Sequence, residues 1–290
     1  MAASALRMLL AADRVTHVPG VWDPATAALA VAAGHQVVHL SGAAVAATML
    51  GRPDLGFVHA TQIADRATTL APALRGTPLL ADADTGFGTP EHAVWTGLAY
   101  RRSGISGLLL EDRASPDRRE RRAGPKLIEI GLAAAKIKAL ADQVPELTVI
   151  ARTDAYAGHG LAETIVRCGA YAEAGAHAVV PEGVPGIDEL AAIHRALPGV
   201  PMVLTRSEAA PNRPAWTDAD LLAVGVRLVL HPVAALLAAM RAASTAYRAI
   251  GESGAADAVE RMPWAAFTAV AGEDDAAVAE ARYVPGRLQT

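Results

Sequence analysis

The 290-residue chain has a single cysteine, Cys168. An intramolecular disulfide is therefore excluded, which suits a reducing, cytoplasmic compartment. Surplus charge is lacking as well. Against 26 Lys and Arg stand 30 Asp and Glu, for a net charge of −4 and a pI of about 6.1. That balance gives no reason to expect nucleic acid or an anionic membrane as a partner. The opening stretch MAASALRMLLAADR has one early arginine and a short apolar run, but Asp13 and Arg14 arrive too soon for a signal peptide. No formal charge falls between Pro24 and Gly51, a length that can span a bilayer. Gly34, His35, Gln36, His39 and Ser41 interrupt it, so the expectation is a buried helix, a turn and a buried strand. No G-x-G-x-x-G follows the first apolar run, which argues against a dinucleotide fold.

What is present is a large apolar complement: 52% hydrophobic residues against 19% charged. A sizeable core can form, and disorder is not expected. Eight short, near-continuously apolar runs recur: HVPGVW (17–22), QVVHLS (36–41), PLLADAD (78–84), SGLLLED (106–112), LTVIART (147–153), HAVVPE (177–182), VPMVLT (200–205) and VRLVLH (226–231). Strands buried on both faces read this way. Between them lie helix candidates at Pro24–Ala33, Pro90–Ser103, Ala133–Gln143, Leu161–Ala174, Ile187–Ala196 and Asp218–Val224. Eight β-α units predict an α/β fold, a single (β/α)8 TIM barrel over residues 1–250. An open doubly wound sheet is the alternative. Residues 251–290 are expected to form a C-terminal helical extension, with segments Ala255–Arg261 and Asp274–Arg282, that packs on or exchanges with a neighbouring subunit.

In such a barrel the chemistry sits at the C-terminal strand ends. Those ends carry Ser41-Gly42, Asp82 and Asp84, Glu111-Asp112, Arg152-Thr153-Asp154, Glu182, Thr205-Arg206-Ser207 and His231. Solvated strand ends explain one or two such charges, not five around a common mouth. Asp82 and Asp84, one residue apart, are expected to share a strand face, where two carboxylates repel. A divalent cation removes that repulsion. With Glu111 they offer an all-oxygen ligand set without His or Cys, suited to Mg²⁺, with Mn²⁺ as the alternative.

Five stretches, SGAAVAATMLGRPDLGF (41–57), ADADTGFG (81–88), LEDR (110–113), ARTDA (151–155) and PEG (181–183), together resemble the isocitrate lyase/phosphoenolpyruvate mutase superfamily, most of all its methylisocitrate lyase branch. The resemblance implies Asp82 as the direct Mg²⁺ ligand, with Asp84 and Glu111 holding the ion largely through water. It implies that Ser41, Gly42 and Ala43 bind the substrate carboxylate and 2-oxo oxygen, that Arg152 clamps substrate, and that Glu182 stands near that arginine. Asp54 matches a residue beside the metal. Thr205, where the lyases usually have Asn, and Ser207 are further substrate-binding candidates. The implied reaction is Mg²⁺-dependent cleavage of a C–C bond in a small 2-oxo or 2-hydroxy di- or tricarboxylate through a metal-stabilised enolate. The implied assembly is a homotetramer or dimer.

One motif departs from the pattern. The lyases carry a Lys-(Arg/Lys)-Cys-Gly-His loop after the strand-4 acids; here the loop reads RASPDRRERRAGPK (113–126). Arg119 stands where the general acid/base cysteine would be and is the candidate catalytic group of that loop, beside Arg152 and Asp54. Arginines 113, 118, 119, 121 and 122 can also close over an anion, or the loop can be a solvated run of mixed charge. The departure leaves two other readings open: a P–C bond enzyme of the mutase or phosphonopyruvate hydrolase type, and a non-catalytic dicarboxylate-binding barrel. Cys168 reads as a packed thiol, His231 as a packed loop histidine with the barrel mouth as the alternative, His159 as a strand-5 loop residue with a spare acid/base as the alternative, Asp23 as a helix cap, and Glu208 as either near substrate or solvated.

Overall fold

A computed structural model describes residues 2–114, 125–208 and 215–272, together with residues 278, 280 and 283. Eight parallel strands close in sequence order into a barrel: β1 (Thr16–Val21), β2 (Val38–Leu40), β3 (Leu79–Asp82), β4 (Gly107–Glu111), β5 (Thr148–Thr153), β6 (Ala178–Pro181), β7 (Met202–Thr205) and β8 (Val226–His231). Each apolar run of the sequence supplies one strand. Because β1 pairs with both β2 and β8, there is no open sheet edge, and the doubly wound alternative falls.

Helices α1 (Ala2–Ala11), α2 (Pro24–Ala32), α3 (Gly42–Val45), α4 (Ala60–Leu74), α5 (Pro90–Arg102), α6 (Ile130–Gln143), α7 (Tyr156–Glu173), α8 (Ile187–Ala196), α9 (Asp218–Ala223), α10 (Ala234–Ser253) and α11 (Trp264–Ala271) make up the rest, with a π turn at Ala46–Leu50 after α3. Local chemistry sets their ends. Asp23 accepts a 2.8 Å hydrogen bond from the Thr26 amide and Pro24 opens the helix, so Asp23 is a cap, as expected. The uncharged stretch from Pro24 folds as helix, turn and buried strand. No helix among the described residues is long and apolar enough to cross a membrane.

Strand alternation explains why the runs are apolar throughout. One set of side chains, including Val18, Leu80, Leu109, Ile150, Val180, Val203 and Leu228, fills the barrel, and Leu6, Leu9 and Leu10 of α1 plug its amino-terminal end. The alternate set packs under the helices, as Ala81, Leu108, Leu110, Val149 and Ala151 do on one side and Val179, Met202 and Val229 on the other. Continuing the inward phase by two residues places Asp82, Glu111, Arg152, Glu182 and Thr205 at the mouth. The outward phase carries Asp112, Thr153 and His231. His231 Nε2 accordingly lies 2.9 Å from Nδ1 of His17 on β1, and His17 Nε2 reaches Asp218 at 3.0 Å.

The expected helix at Ala255–Arg261 does not form. α10 runs on to Ser253, Gly254 ends it at φ 77°, and the next helix begins after Pro263. Residues 255–261 bury no apolar face, and Arg261 folds back onto Asp257 and the Ala256 carbonyl. Short helices without a packed face are not stable. α11 lies against α2. The expected segment Asp274–Arg282 falls mostly outside the described residues.

Candidate active site

Asp82, the last residue of β3, has both carboxylate oxygens engaged. Oδ1 lies 3.0 Å from Nε2 of His39 on β2, and Oδ2 accepts the Gly42 amide at 2.8 Å. Gly42 was expected to present that amide to substrate; here it holds the carboxylate instead. Its neighbour Ala43 lies in the first turn of α3, where amides have no partner within the helix. Ser41 is the N-cap of α3, buried, and makes no capping bond with its hydroxyl. A methyl group placed on Gly42 would stand 3.5 Å from Asp82 Oδ2 and 3.8 Å from Asp54 Oδ1, so Asp54 borders the same spot.

Asp84 joins Asp82, but not by strand alternation. β3 ends at Asp82, and Asp84 takes a left-handed conformation, φ 41°, uncommon outside glycine. Its carbonyl still accepts the Glu111 amide at 2.8 Å, and the Ala83 amide bonds the Leu109 carbonyl at 2.8 Å, so β4 continues to pin the turn. From outside, Lys136 of α6 donates to the Thr85 carbonyl at 2.9 Å. Burial lowers the pKa of Lys136. Tyr100 donates to the Asp82 carbonyl at 2.7 Å, and burial, then the fields of Asp84 and Asp82, hold its phenol well above 10.0.

Asp82, Asp84, Leu109, Glu111 and Arg152 line one cleft of about 220 Å³. Arg152 of β5 is buried among three carboxylates. Asp154 accepts from its Nε and Nη2 at 2.8 Å each, Glu182 lies 3.3 Å from Nη1, and Glu111 lies 3.7 Å from Nε. Burial pulls the Arg152 pKa down, but Glu182, Asp154 and Glu111 outweigh it and hold the guanidinium firmly charged. Thr205 closes β7 in the inward phase, and Ser207 follows two residues on. Arg119 lies outside the described residues, as do the arginines at 118, 121 and 122. Arg113 departs from the solvated-loop reading: it is 1% exposed and pairs in an antiparallel bridge with Leu127.

Two participants escaped the sequence reading. His39 was noted only as an interruption of an apolar stretch, yet it is 2% exposed and bonds Asp82. Asp112 faces outward beneath the site, where it accepts from Thr153 Oγ1 (2.7 Å), the Asp154 amide (3.1 Å), Arg167 Nη1 (3.1 Å) and Tyr171 OH (2.7 Å). Strand parity was the available signal for both. Cys168 is fully buried, His159 is exposed at the start of α7, and Glu208 accepts the Val233 amide at 3.3 Å.

Electrostatically, Glu111, Asp154 and Glu182 surround one guanidinium, Asp82 and Asp84 line the same cleft, and Asp54 stands beside Asp82 at Gly42. Carboxylates so placed need a cation to remain ionised together. Among the described residues no three His, Cys, Asp or Glu side chains converge closely enough to enclose a metal by themselves. The donors at the cleft are carboxylate oxygens, the ligand type that hard divalent ions take.

The family model described as phosphoenolpyruvate phosphomutase matches residues 6–251. The chain is 35% identical over 252 residues to the 2-methylisocitrate lyase of Bacillus subtilis (strain 168), covering 87% of this chain and 82% of that one. Its structure resembles crystalline 2,3-dimethylmalate lyase, with a TM-score of 0.90 at 28% identity over 100% and 97% of the two chains. It also resembles a phosphonopyruvate hydrolase in complex with oxalate and Mg²⁺, with a TM-score of 0.86 at 28% identity over 98% and 99%. A family match over most of the barrel, with a lyase relative aligned across most of both chains, leaves one assignment: this chain belongs to the PEP mutase/isocitrate lyase superfamily and is a lyase.

Proposed function

We propose that the protein cleaves a C–C bond in a small 2-hydroxy or 2-oxo di- or tricarboxylate, with Mg²⁺ held at Asp82, Asp84 and Glu111. The observation that carries this reading is the convergence of those three carboxylates and Arg152 on one cleft. A bound Mg²⁺ supplies Lewis-acid polarisation of substrate oxygens and offsets the carboxylate excess. Asp82 would hold the ion directly, Asp84 and Glu111 would hold it largely through water, and Asp54 stands beside that site. His39 fixes the orientation of Asp82.

The remaining roles fall to this chain's own groups. Arg152, locked by Asp154, presents fixed guanidinium N–H donors to a substrate carboxylate. Ser41 and the amides at the start of α3 face the charge that develops as the bond breaks, and Gly42 joins them if Asp82 releases its amide. In a 2-hydroxy acid the hydroxyl gives up its proton to a base as its C–O bond becomes a carbonyl, and the electron pair of the broken C–C bond passes to the carbon beside the departing carboxylate, where it is delocalised as an enolate. A proton must then reach that carbon. Arg119 stands where related lyases carry a cysteine and is the proposed catalytic group of the loop. Glu182, Thr205 and Ser207 complete the substrate contacts.

The protein is further proposed to work in the cytoplasm as a homo-oligomer, in keeping with its lone cysteine and its exposed helices. Leu237, Met240, Tyr247 and Ile250 form an exposed apolar stripe on α10, and Trp264 of α11 is 76% exposed. A second copy of the chain covers such a stripe well. Light scattering coupled to size exclusion reads that mass directly.

The functional test is a 2-oxo acid release assay over methylisocitrate, dimethylmalate, oxaloacetate and phosphonopyruvate, with and without Mg²⁺, for wild type and Asp82→Ala. Release from a carbon acid that needs both Mg²⁺ and Asp82 is the expected result. Turnover of phosphonopyruvate alone transfers the reading to P–C cleavage, and no turnover of any acid removes it.

A further inference from the structure

A second cleft, with room for about 390 Å³, lies at the opposite end of the barrel from the carboxylate cluster. It is walled by α1, by the turn from α8 into β7 and by the start of β8. Its polar lining is Arg7, His177, His194 and Arg227; no carboxylate lines it. Leu10, Val200 and Pro201 supply an apolar side. In a chain of net charge −4, an uncompensated pair of guanidiniums in one concavity is a local reversal of sign.

Helix and strand ends account for only part of these groups. Arg7 Nη2 donates to the Pro145 and Leu147 carbonyls, and Arg227 Nη1 lies 3.3 Å from the Leu222 and Val226 carbonyls. Arg7 Nε and His194 Nδ1 are buried without a hydrogen-bond partner among the described residues. His177 Nδ1 accepts the Val149 amide at 3.1 Å, which leaves Nε2–H as the donor of the neutral ring. Burial, then the Arg7 charge, keeps that ring neutral. Gly225 admits the His194 ring: a Cβ there would stand 2.4 Å from Nδ1. Arg7 Nη1, Arg227 Nε and Nη2, His177 Nε2 and His194 Nε2 make no hydrogen bond among the described residues, so four nitrogen-bearing side chains line one space with donor capacity that the protein leaves unused.

We propose that this cleft is a second ligand site, separate from the one at the mouth, that takes a small organic polyanion through paired guanidinium forks and imidazole donors. A phosphate ester and a polycarboxylate share that chemistry. The proposal is independent of which acid is cleaved at the mouth.

Isothermal titration of the full-length protein in Mg²⁺-free buffer with pyrophosphate, and separately with propane-1,2,3-tricarboxylate, tests it. The variants are Arg152→Gln at the mouth, Arg227→Gln in the cleft and Ala11→Glu on the exposed rim of α1. One equivalent of probe is expected to bind wild type and Arg152→Gln alike. Its Kd should rise about tenfold or more in Arg227→Gln, through the loss of one charge-assisted contact, and in Ala11→Glu, through a like charge placed at the rim. Binding of pyrophosphate alone names a phosphate ligand, and binding of the tricarboxylate alone names a carboxylate. The proposal is overturned if neither probe binds at millimolar concentration. Binding that disappears with Arg152→Gln, or that ignores both cleft variants, overturns it equally. Ala11→Glu leaves every hydrogen bond of Arg7 and Arg227 in place, so a loss there is not a folding defect.

Discussion

Arg152 and Asp154, two residues apart on the end of β5, form a bidentate pair with both contacts at 2.8 Å. The pair is buried, so the guanidinium has one orientation available, and it faces the cleft that also holds Glu111. Asp154→Asn keeps the shape and removes the charge. Loss of one charge-assisted contact is worth roughly 1.5–3 kcal/mol, so kcat/KM should fall about 10- to 100-fold, mostly through KM. Arg152→Lys should fare no better, because an ammonium cannot hold the fork. Steady-state kinetics on both variants decides this; an unchanged KM in Asp154→Asn would show that the pair does not orient the arginine toward substrate.

Chelation of divalent ions should abolish turnover, and Mg²⁺ or Mn²⁺ should restore it. Mn²⁺ titration followed by electron paramagnetic resonance should show a bound ion that disappears in Asp82→Ala. His39→Phe fills the same space without holding Asp82 Oδ1, and partners of this kind typically weaken a metal about 10- to 100-fold when lost. Metal affinity should fall in that range, while a saturating ion recovers much of the rate. Wild-type affinity in His39→Phe would remove the histidine from the account.

Beneath the mouth, Asp112 is a stability element. It carries the Arg167 charge and three further donors in a buried setting. Breaking a buried pair from one side costs about 3–5 kcal/mol. Asp112→Asn should lower the urea midpoint correspondingly, and a change under about 1 kcal/mol would contradict the burial argument.

Alkaline pH should also destabilise the fold. Burial, then the Asp112 charge, pushes the Cys168 thiol from 9.0 up to about 12, and burial first of all raises Tyr100 and Tyr171 well above 10.0. In each case the folded pKa exceeds the unfolded one. The folded state therefore retains protons that the unfolded state releases, and stability falls as pH rises. The contribution of Cys168 is complete below pH 9.0 and is lost as the pH climbs toward about 12. Melting temperatures across that window should decline, and Cys168→Ala should flatten the decline. A slope identical to wild type would mean that the thiol is not coupled to folding.

Much of this was legible before the structure. Near-continuous apolar runs ending in charges gave the eight strands and their mouth residues, because burial on both faces and solvent at one end leave that pattern. Partners distant in sequence were not legible. Nothing local to QVVHLS says that His39 meets an aspartate 43 positions on. Nothing in LEDR says which partners Asp112 meets on its outward side, or that Arg113 is buried in a bridge. Asp84 was placed correctly by a wrong geometry, since alternation was assumed to continue where the chain turns left-handed. Ala255–Arg261 had helical composition but no surface to bury it against. The substitution of the loop cysteine was visible at once, whereas the basic cleft at the far end was not, since its four residues are scattered from position 7 to position 227.

Glu111 and Asp112 are chemically similar neighbours with opposite destinations: one faces the cleft, the other anchors the scaffold. Strand pairing alone separates them. A slip of β4 by one position would send the anchoring acid into the cleft and the cleft acid into the helical layer, leaving Arg152 and Arg167 each with the wrong companion. New substrates are thus free to arise from changes in the connecting loops, while an insertion or deletion within the LEDR segment would disable chemistry and scaffold at a stroke.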